Sequence, residues 1–210
     1  LKREQKAQSV FDALHRLHPD ARCELEFSNP LELLIATILS AQCTDSRVNQ
    51  VTRVLFKKCR SVSAYLKLPQ EELEEIIRST GFFRNKAKNI LGAVSAIKER
   101  HGGKVPQTME ELSALPGVGR KTANVVLSNA FNLPGLPVDT HVTRLSNRIG
   151  LTKQKDAVKI ETELCKLLPP ERWGLFSHLL IFHGRRVCLA RKPNCARCPL
   201  TKTCSFYKKQ

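Results

Sequence analysis

Two groups of residues in this 210-residue chain have the types and spacing to do chemistry. Cys188, Cys195, Cys198 and Cys204 run as Cys-x6-Cys-x2-Cys-x5-Cys, four thiolates in one short, loop-rich stretch. Thiolates so crowded bind metal, and the set suits either a tetrahedral zinc ion or an iron–sulfur cluster. Zinc sites usually contribute two short pairs, whereas only Cys195 and Cys198 are closely spaced here. Cys23, Cys43, Cys59 and Cys165 lie near apolar stretches and are expected as reduced, buried or half-buried thiols.

The second group is Leu115-Pro116-Gly117-Val118-Gly119-Arg120-Lys121-Thr122-Ala123. A helix predicted over Thr108–Leu115 and another over Arg120–Ala130 flank a tight turn. Two glycines permit positive φ and close approach, and the first amides of the following helix lack an intrahelical acceptor, which suits a phosphate oxygen. An ordinary helix-helix turn fits the spacing equally well. Lys121 stands at the start of the second helix. A lysine amine attacks carbon only when neutral, and a helix start and partial burial both disfavour its charge; a solvated lysine touching a phosphate is the plainer alternative. Asp139 follows a Pro-rich turn and precedes a predicted helix, Thr140–Ile149, so it reads as an N-cap. Capping amides would also keep its carboxylate ionised for stabilising positive charge or moving a proton.

The elements that must hold these groups are helical. Val10, Phe11, Leu14 and Leu17 recur at helical spacing, as do Ala87, Ile90, Leu91, Val94 and Ile97. Asn29 before Pro30 and Thr108 with Glu111 mark helix starts, and Gly81, Gly102 and Gly150 mark stops. The fold class expected is all-α. The segment 132–137, Asn-Leu-Pro-Gly-Leu-Pro, breaks the pattern, giving two helical domains: 23–133, with the hairpin, and 1–22 plus 134–210, with the cysteines. No apolar run reaches the ~20 residues that span a bilayer, so a membrane partner is not expected. Thirty-five Lys and Arg against nineteen Asp and Glu leave a net charge of +16, with no acidic residue after Glu171. Nucleic acid is the leading partner for such a surface.

The hairpin stretch, followed by Gly135-Leu136-Pro137-Val138-Asp139-Thr140-His141, resembles the helix-hairpin-helix DNA glycosylase superfamily. Leu39-Ser40-Ala41-Gln42-Cys43-Thr44-Asp45 and His183-Gly184-Arg185 extend the likeness to the endonuclease III family over nearly the whole chain. The resemblance implies a DNA-binding cleft between the two domains and a [4Fe-4S] cluster on Cys188, Cys195, Cys198 and Cys204. It also implies an enzyme that is both DNA glycosylase and abasic-site lyase. Lys121 would displace an oxidised pyrimidine through a Schiff base, Asp139 would assist, and β-elimination would cut the strand. Monofunctional relatives such as adenine-DNA glycosylase keep the aspartate and lack this lysine.

Turning a base out of the duplex requires groups that fill the space and kink the strand. By resemblance these are Gln42 and Phe82, the latter standing where relatives often have an aliphatic residue; core packing is its plainer role. Gly117, Val118, Gly119 and Arg120 would hold phosphate. Arg191 and Lys192, in the loop clamped by Cys188 and Cys195, would neutralise phosphates. His183 is expected as a helix-end or core histidine rather than a further ligand, and Trp173 as packing. The partner expected is double-stranded DNA with damaged pyrimidines or abasic sites, bound by a monomer. The compartment expected is a reducing cytoplasm, with association to the bacterial nucleoid when bound to DNA. The competing function is a noncatalytic nucleic-acid-binding module that uses the hairpin and metal loop for phosphate contacts alone.

Overall fold

The computed structural model describes residues 2–209. Among the described residues there are helices and connecting turns and no strand. The α-helices are α1 (Arg3–Leu17), α2 (Pro30–Leu39), α3 (Asp45–Lys58), α4 (Val62–Lys67), α5 (Gln70–Ile77), α6 (Phe83–Arg100), α7 (Met109–Ser113), α8 (Arg120–Ala130), α9 (Thr140–Ile149), α10 (Ala157–Cys165) and α11 (Trp173–Arg186). Two compact units divide them. One is Cys23–Asn132; the other takes the residues up to Arg22 and those from Leu133 onward. No helix among the described residues is long and apolar enough to cross a membrane.

The first unit is built round α2. Asn29 starts that helix by accepting the Glu32 N–H at 3.0 Å, and Pro30 occupies the first helical position, where no amide is needed. Every residue from Leu33 to Leu39 is buried, so the helix is covered on all sides. Helices α3, α6 and α8 pack against it, α4 and α5 cover α6, and α7 pairs with α8. The buried positions of α8 are Ala123, Asn124, Val126 and Leu127, which leaves Arg120 and Lys121 exposed at its first turn. Along α6 the buried stripe runs Lys86, Ala87, Ile90, Ala93, Val94, Ala96 and Ile97. Leu91, expected on that stripe, is half-buried at its edge.

In the second unit α11 is central, with Phe176, Leu179 and Leu180 buried, and α1 and α9 pack against it. Helix α1 contributes Ala7, Val10, Phe11 and Leu14. Leu17 is 39% exposed, because α1 ends there and the chain turns away at the buried His18. Gly150 ends α9 in the left-handed region at φ 86°, which a side chain would resist. Helix α7 is shorter than the predicted Thr108–Leu115. The Thr108 hydroxyl oxygen accepts the Glu111 N–H at 3.2 Å at its start, and Val118 N–H bonds back to the Leu115 carbonyl at 3.1 Å beyond its end.

Ile90 is fully buried in the middle of α6. Ile90→Ala should lower unfolding stability by about 2–5 kcal/mol, measured as a lower urea midpoint at unchanged slope. A loss below about 1 kcal/mol would contradict this packing.

Candidate functional site

The turn between α7 and α8 rests on α6. Gly117 adopts φ 74°, and a Cβ built there would stand 2.6 Å from the Asn89 side chain. A Cβ on Gly92, one turn further along α6, would meet Pro116 at 3.2 Å. The turn is thus seated on α6 by two glycines, one on each side of the contact. Gly119 differs from expectation. Its φ is −89°, an ordinary extended value, and nothing lies within 4 Å of its Cβ position. What it supplies is open space beside the backbone at the N-cap, not left-handed geometry. Val118 also departs from the expected phosphate contact: its side chain is 5% exposed, and its N–H is bonded to Leu115 within the turn. The first intrahelical bond of α8 runs from Ala123 N–H to the Gly119 carbonyl, and Gly119 has no side chain with which to cap the preceding amides.

Lys121 is the second residue of α8 and is exposed. Asp139, in the other unit, is the N-cap of α9 and half-buried; its Oδ1 accepts the Val142 N–H at 2.8 Å. The segment before it is anchored by Leu136 and Val138 in the core and by Ser177, whose buried hydroxyl donates to the Pro137 carbonyl at 2.6 Å. The carboxylate therefore has one oxygen fixed by a helix amide and a backbone held from behind. His141, two residues on, lies 3.2 Å through Nδ1 from Arg144 Nη2; burial chiefly lowers its pKa, with Asp139 opposing.

Gln42 and Phe82 share an uncommon feature. Both are non-glycine residues in the left-handed region, at φ 54° and 48°, and both are exposed, Phe82 by 64%. Phe82 is not a core residue; its neighbour Phe83 packs on the core instead, with the Arg78 and Arg84 guanidiniums over its ring. The two exposed residues belong to loops that approach each other, because Lys86 Nζ donates to the carbonyls of both Leu39 and Thr80.

Cys188, Cys195, Cys198 and Cys204 line one pocket, with Phe206 and Tyr207 among the other walls. All four are half-buried, and no disulfide joins any cysteine among the described residues. Burial raises the Cys198 thiol, and the other three cysteines add to the rise, a mutual repulsion that a bound cation would relieve. Among the described residues no three His, Cys, Asp or Glu side chains gather closely enough to hold a single metal ion. The donor set is nonetheless all sulfur, and nitrogen donors approach it: Arg148 Nη1 lies 3.4 Å from Cys188 Sγ, and His183 Nε2 lies 3.3 Å from Cys198 Sγ. His183 is buried within α11, and its Nδ1 lies 3.2 Å from His18 Nε2. Burial, with His18 beside it, pushes its pKa down to about 4. Arg191 and Lys192 are exposed in the loop between the first two cysteines, Lys192 at φ 50°. Trp173 packs against the core and donates from Nε1 to the Leu168 carbonyl at 2.9 Å.

A glycine-N-capped helix after a seated turn, followed by an aspartate cap, defines the class. Residues 35–170 match the family described as HhH-GPD superfamily base excision DNA repair protein. Within that superfamily the chain belongs to the endonuclease III family. It is 54% identical over 203 residues to Endonuclease III of Synechocystis sp., which spans 96% of this chain and 93% of the relative. It is 50% identical over 207 residues to Endonuclease III of Bacillus subtilis, spanning 98% and 94%. A solved structure of a trapped endonuclease III–DNA covalent intermediate superposes with a TM-score of 0.92 at 47% identity, covering 98% of this chain and 97% of that one.

Sequence reasoning missed the residues that hold the functional ones. Arg144 and Arg148, one turn apart on α9, reach the cysteine loop: Arg144 donates to the Gly184 and Cys188 carbonyls at 3.0 Å each. Arg148 donates to the Leu189 and Ala190 carbonyls at 2.7 Å each and lies over the Phe206 ring. The available signal was a pair of arginines at i and i+4 on a helix whose other face is apolar. Arg148→Met should free the loop and speed tryptic cleavage after Arg191 by on the order of 10²-fold, since it removes two bonds from a charged donor, each worth ~1.5–3 kcal/mol. An unchanged cleavage rate would show that the loop does not depend on Arg148.

Proposed function

We propose that this member of the endonuclease III family is a bifunctional DNA glycosylase and abasic-site lyase that removes oxidised pyrimidines, with Lys121 as nucleophile and Asp139 as its carboxylate partner. The observation that carries this reading is the place of Lys121, an exposed amine two residues after the open Gly119 N-cap of a helix whose turn is seated on α6. A phosphate drawn to that N-terminus brings the adjoining sugar to the amine. Covering by the bound duplex would remove water from an amine that this chain leaves exposed. The backbone amides of the turn, Gly117, Gly119 and Arg120 serve the phosphate, Val118 serving by packing.

In the reaction, the Lys121 amine bonds to the anomeric carbon as the base leaves with the bonding electrons. Loss of a proton from nitrogen and opening of the sugar give an imine. Removal of a proton from the neighbouring carbon then expels the 3′ phosphate, and water releases the lysine. The Asp139 carboxylate, oriented by the Val142 N–H, stabilises the positive charge and can take protons. Gln42 and Phe82, held outward by left-handed backbone, fill and kink the duplex around the extruded base.

Cys188, Cys195, Cys198 and Cys204 would hold a [4Fe-4S] cluster. Membership of the endonuclease III family supports a cluster over a single zinc ion, and the four cysteines that line one pocket supply the all-sulfur donor set it needs. When bound, the cluster would tie the two ends of the loop in which Arg191 and Lys192 are exposed, leaving both side chains to meet the DNA backbone. Free thiols and a chromosomal substrate fit a reducing cytoplasm.

Borohydride should trap a covalent adduct between the protein and a duplex containing an abasic site. Lys121→Ala should reduce trapping and strand cleavage by on the order of 10³-fold or more; undiminished trapping would remove Lys121 from its role, and no trapping by the unaltered protein would favour the binding module. Asp139→Asn keeps an N-cap, so folding should change by less than about 0.5 kcal/mol while base excision falls about 10²- to 10⁴-fold. An equal fall in stability would make Asp139 a cap only. Protein prepared without oxygen should be brown and carry about four irons and four sulfides per chain; zinc alone would overturn the cluster.

A further inference from the structure

We propose that Lys86 is a positioning residue whose ammonium locks the Gln42 loop to the Phe82 loop, so that the two enter the duplex as one rigid unit. This rests on the reading of Gln42 and Phe82 as the groups that occupy and kink the duplex.

Lys86 is 4% exposed on the buried stripe of α6, one turn before Ile90. Lysine is almost never so buried without partners. Here its Nζ donates to the Leu39 carbonyl at 2.7 Å and the Thr80 carbonyl at 2.8 Å. Leu39 is the last residue of α2, and Thr80 the last of the 3-10 turn Arg78–Thr80. The final carbonyls of a helix lack intrahelical donors and carry its negative end, so one cation satisfies two helix termini together. Each anchored carbonyl lies just before an exposed left-handed residue: Gln42 follows Leu39 by three positions, and Phe82 follows Thr80 by two. Lys86 N–H also donates to the Phe82 carbonyl at 3.0 Å, which fixes the start of α6 on the same residue.

Left-handed backbone at a glutamine and a phenylalanine is strained and persists only where the surroundings fix it. Gly81, between Thr80 and Phe82, adds freedom at φ 72° rather than restraint. Bonds within each loop, such as Cys43 N–H to the Ser40 carbonyl and Gly81 N–H to the Arg78 carbonyl, hold it locally, and the Lys86 side chain ties the two together from below. A methionine would fill the same volume with no charge to bury, yet it would leave both carbonyls unanswered and the loops free to move separately. Burial does disfavour the ammonium, with Cys43 in the Gln42 loop opposing that effect.

The test compares Lys86→Met and Lys86→Arg with Gln42→Ala and Phe82→Ala, using single-turnover kinetics at saturating enzyme. One substrate is a duplex with a paired lesion. The other carries an abasic site opposite a one-nucleotide gap, where no base must be turned out and the DNA bends freely. Lys86→Met should slow excision from the duplex by on the order of 10²-fold and leave cleavage at the gapped site within about threefold; Lys86→Arg, which keeps a cation, should lie between. Hydrogen exchange should show amides of 40–43 and 80–83 losing protection together, with the interior of α6 unchanged. An equal loss on both substrates, or loosening of one loop alone, would overturn the coupling. If Lys86→Met does not fold, the same paired change in Lys86→Arg supports the proposal and its absence overturns it. Should Gln42→Ala and Phe82→Ala leave duplex excision intact, the insertion reading fails by itself, and joint loosening in Lys86→Met still supports the lock.

Discussion

The close approach of the α7–α8 turn to α6 is the contact on which the candidate site depends. Gly117 has no room for a side chain because Asn89 occupies the space, and Gly92 has little because Pro116 does. With the turn pressed down in this way, α8 begins at a fixed point, and its rear face is held by α2, itself buried on every side from Leu33 to Leu39. Lys121 owes its place to that chain of packing rather than to contacts of its own. An alanine at Gly117 would meet both the positive φ and the Asn89 side chain, so the turn would have to lift and carry the start of α8 with it.

The same logic recurs in the second unit, where functional groups are held by others behind them. Asp139 is fixed by a helix amide and by a backbone that Ser177 grips at Pro137. The cysteine loop is held by the two arginines of α9, whose donors reach the carbonyls of Gly184, Cys188, Leu189 and Ala190. One helix therefore carries the carboxylate at its start and the supports of the cysteine loop along its length. Charge completes the arrangement: a net +16, with no acidic residue after Glu171, favours the approach of DNA.

Helix positions were legible in the sequence where local chemistry decides them. Helices α8 and α9 begin and end at the residues predicted, because a glycine and an aspartate cap them and a glycine stops α9. Asn29 with Pro30 marked the start of α2. What the sequence did not disclose was decided across the fold. Nothing local reveals that Gly119 has ordinary backbone with open space beside it, that Val118 is buried, or that Leu17 is exposed at the end of its helix. The left-handed backbone of Gln42 and Phe82 was equally hidden, since neither residue type invites it. Lys86 could have been noticed as a charge on an apolar stripe, but its partners lie on two other elements, and only the folded chain brings them to it.

The central claim is that chemistry at the sugar runs through one amine. Its most direct measurement is to reduce the protein–DNA adduct, digest both components and locate the modified residue by mass spectrometry. The account predicts a single sugar-derived mass increment on the peptide containing Lys121, with the other lysines unmodified. A modification mapped to any other lysine would contradict it.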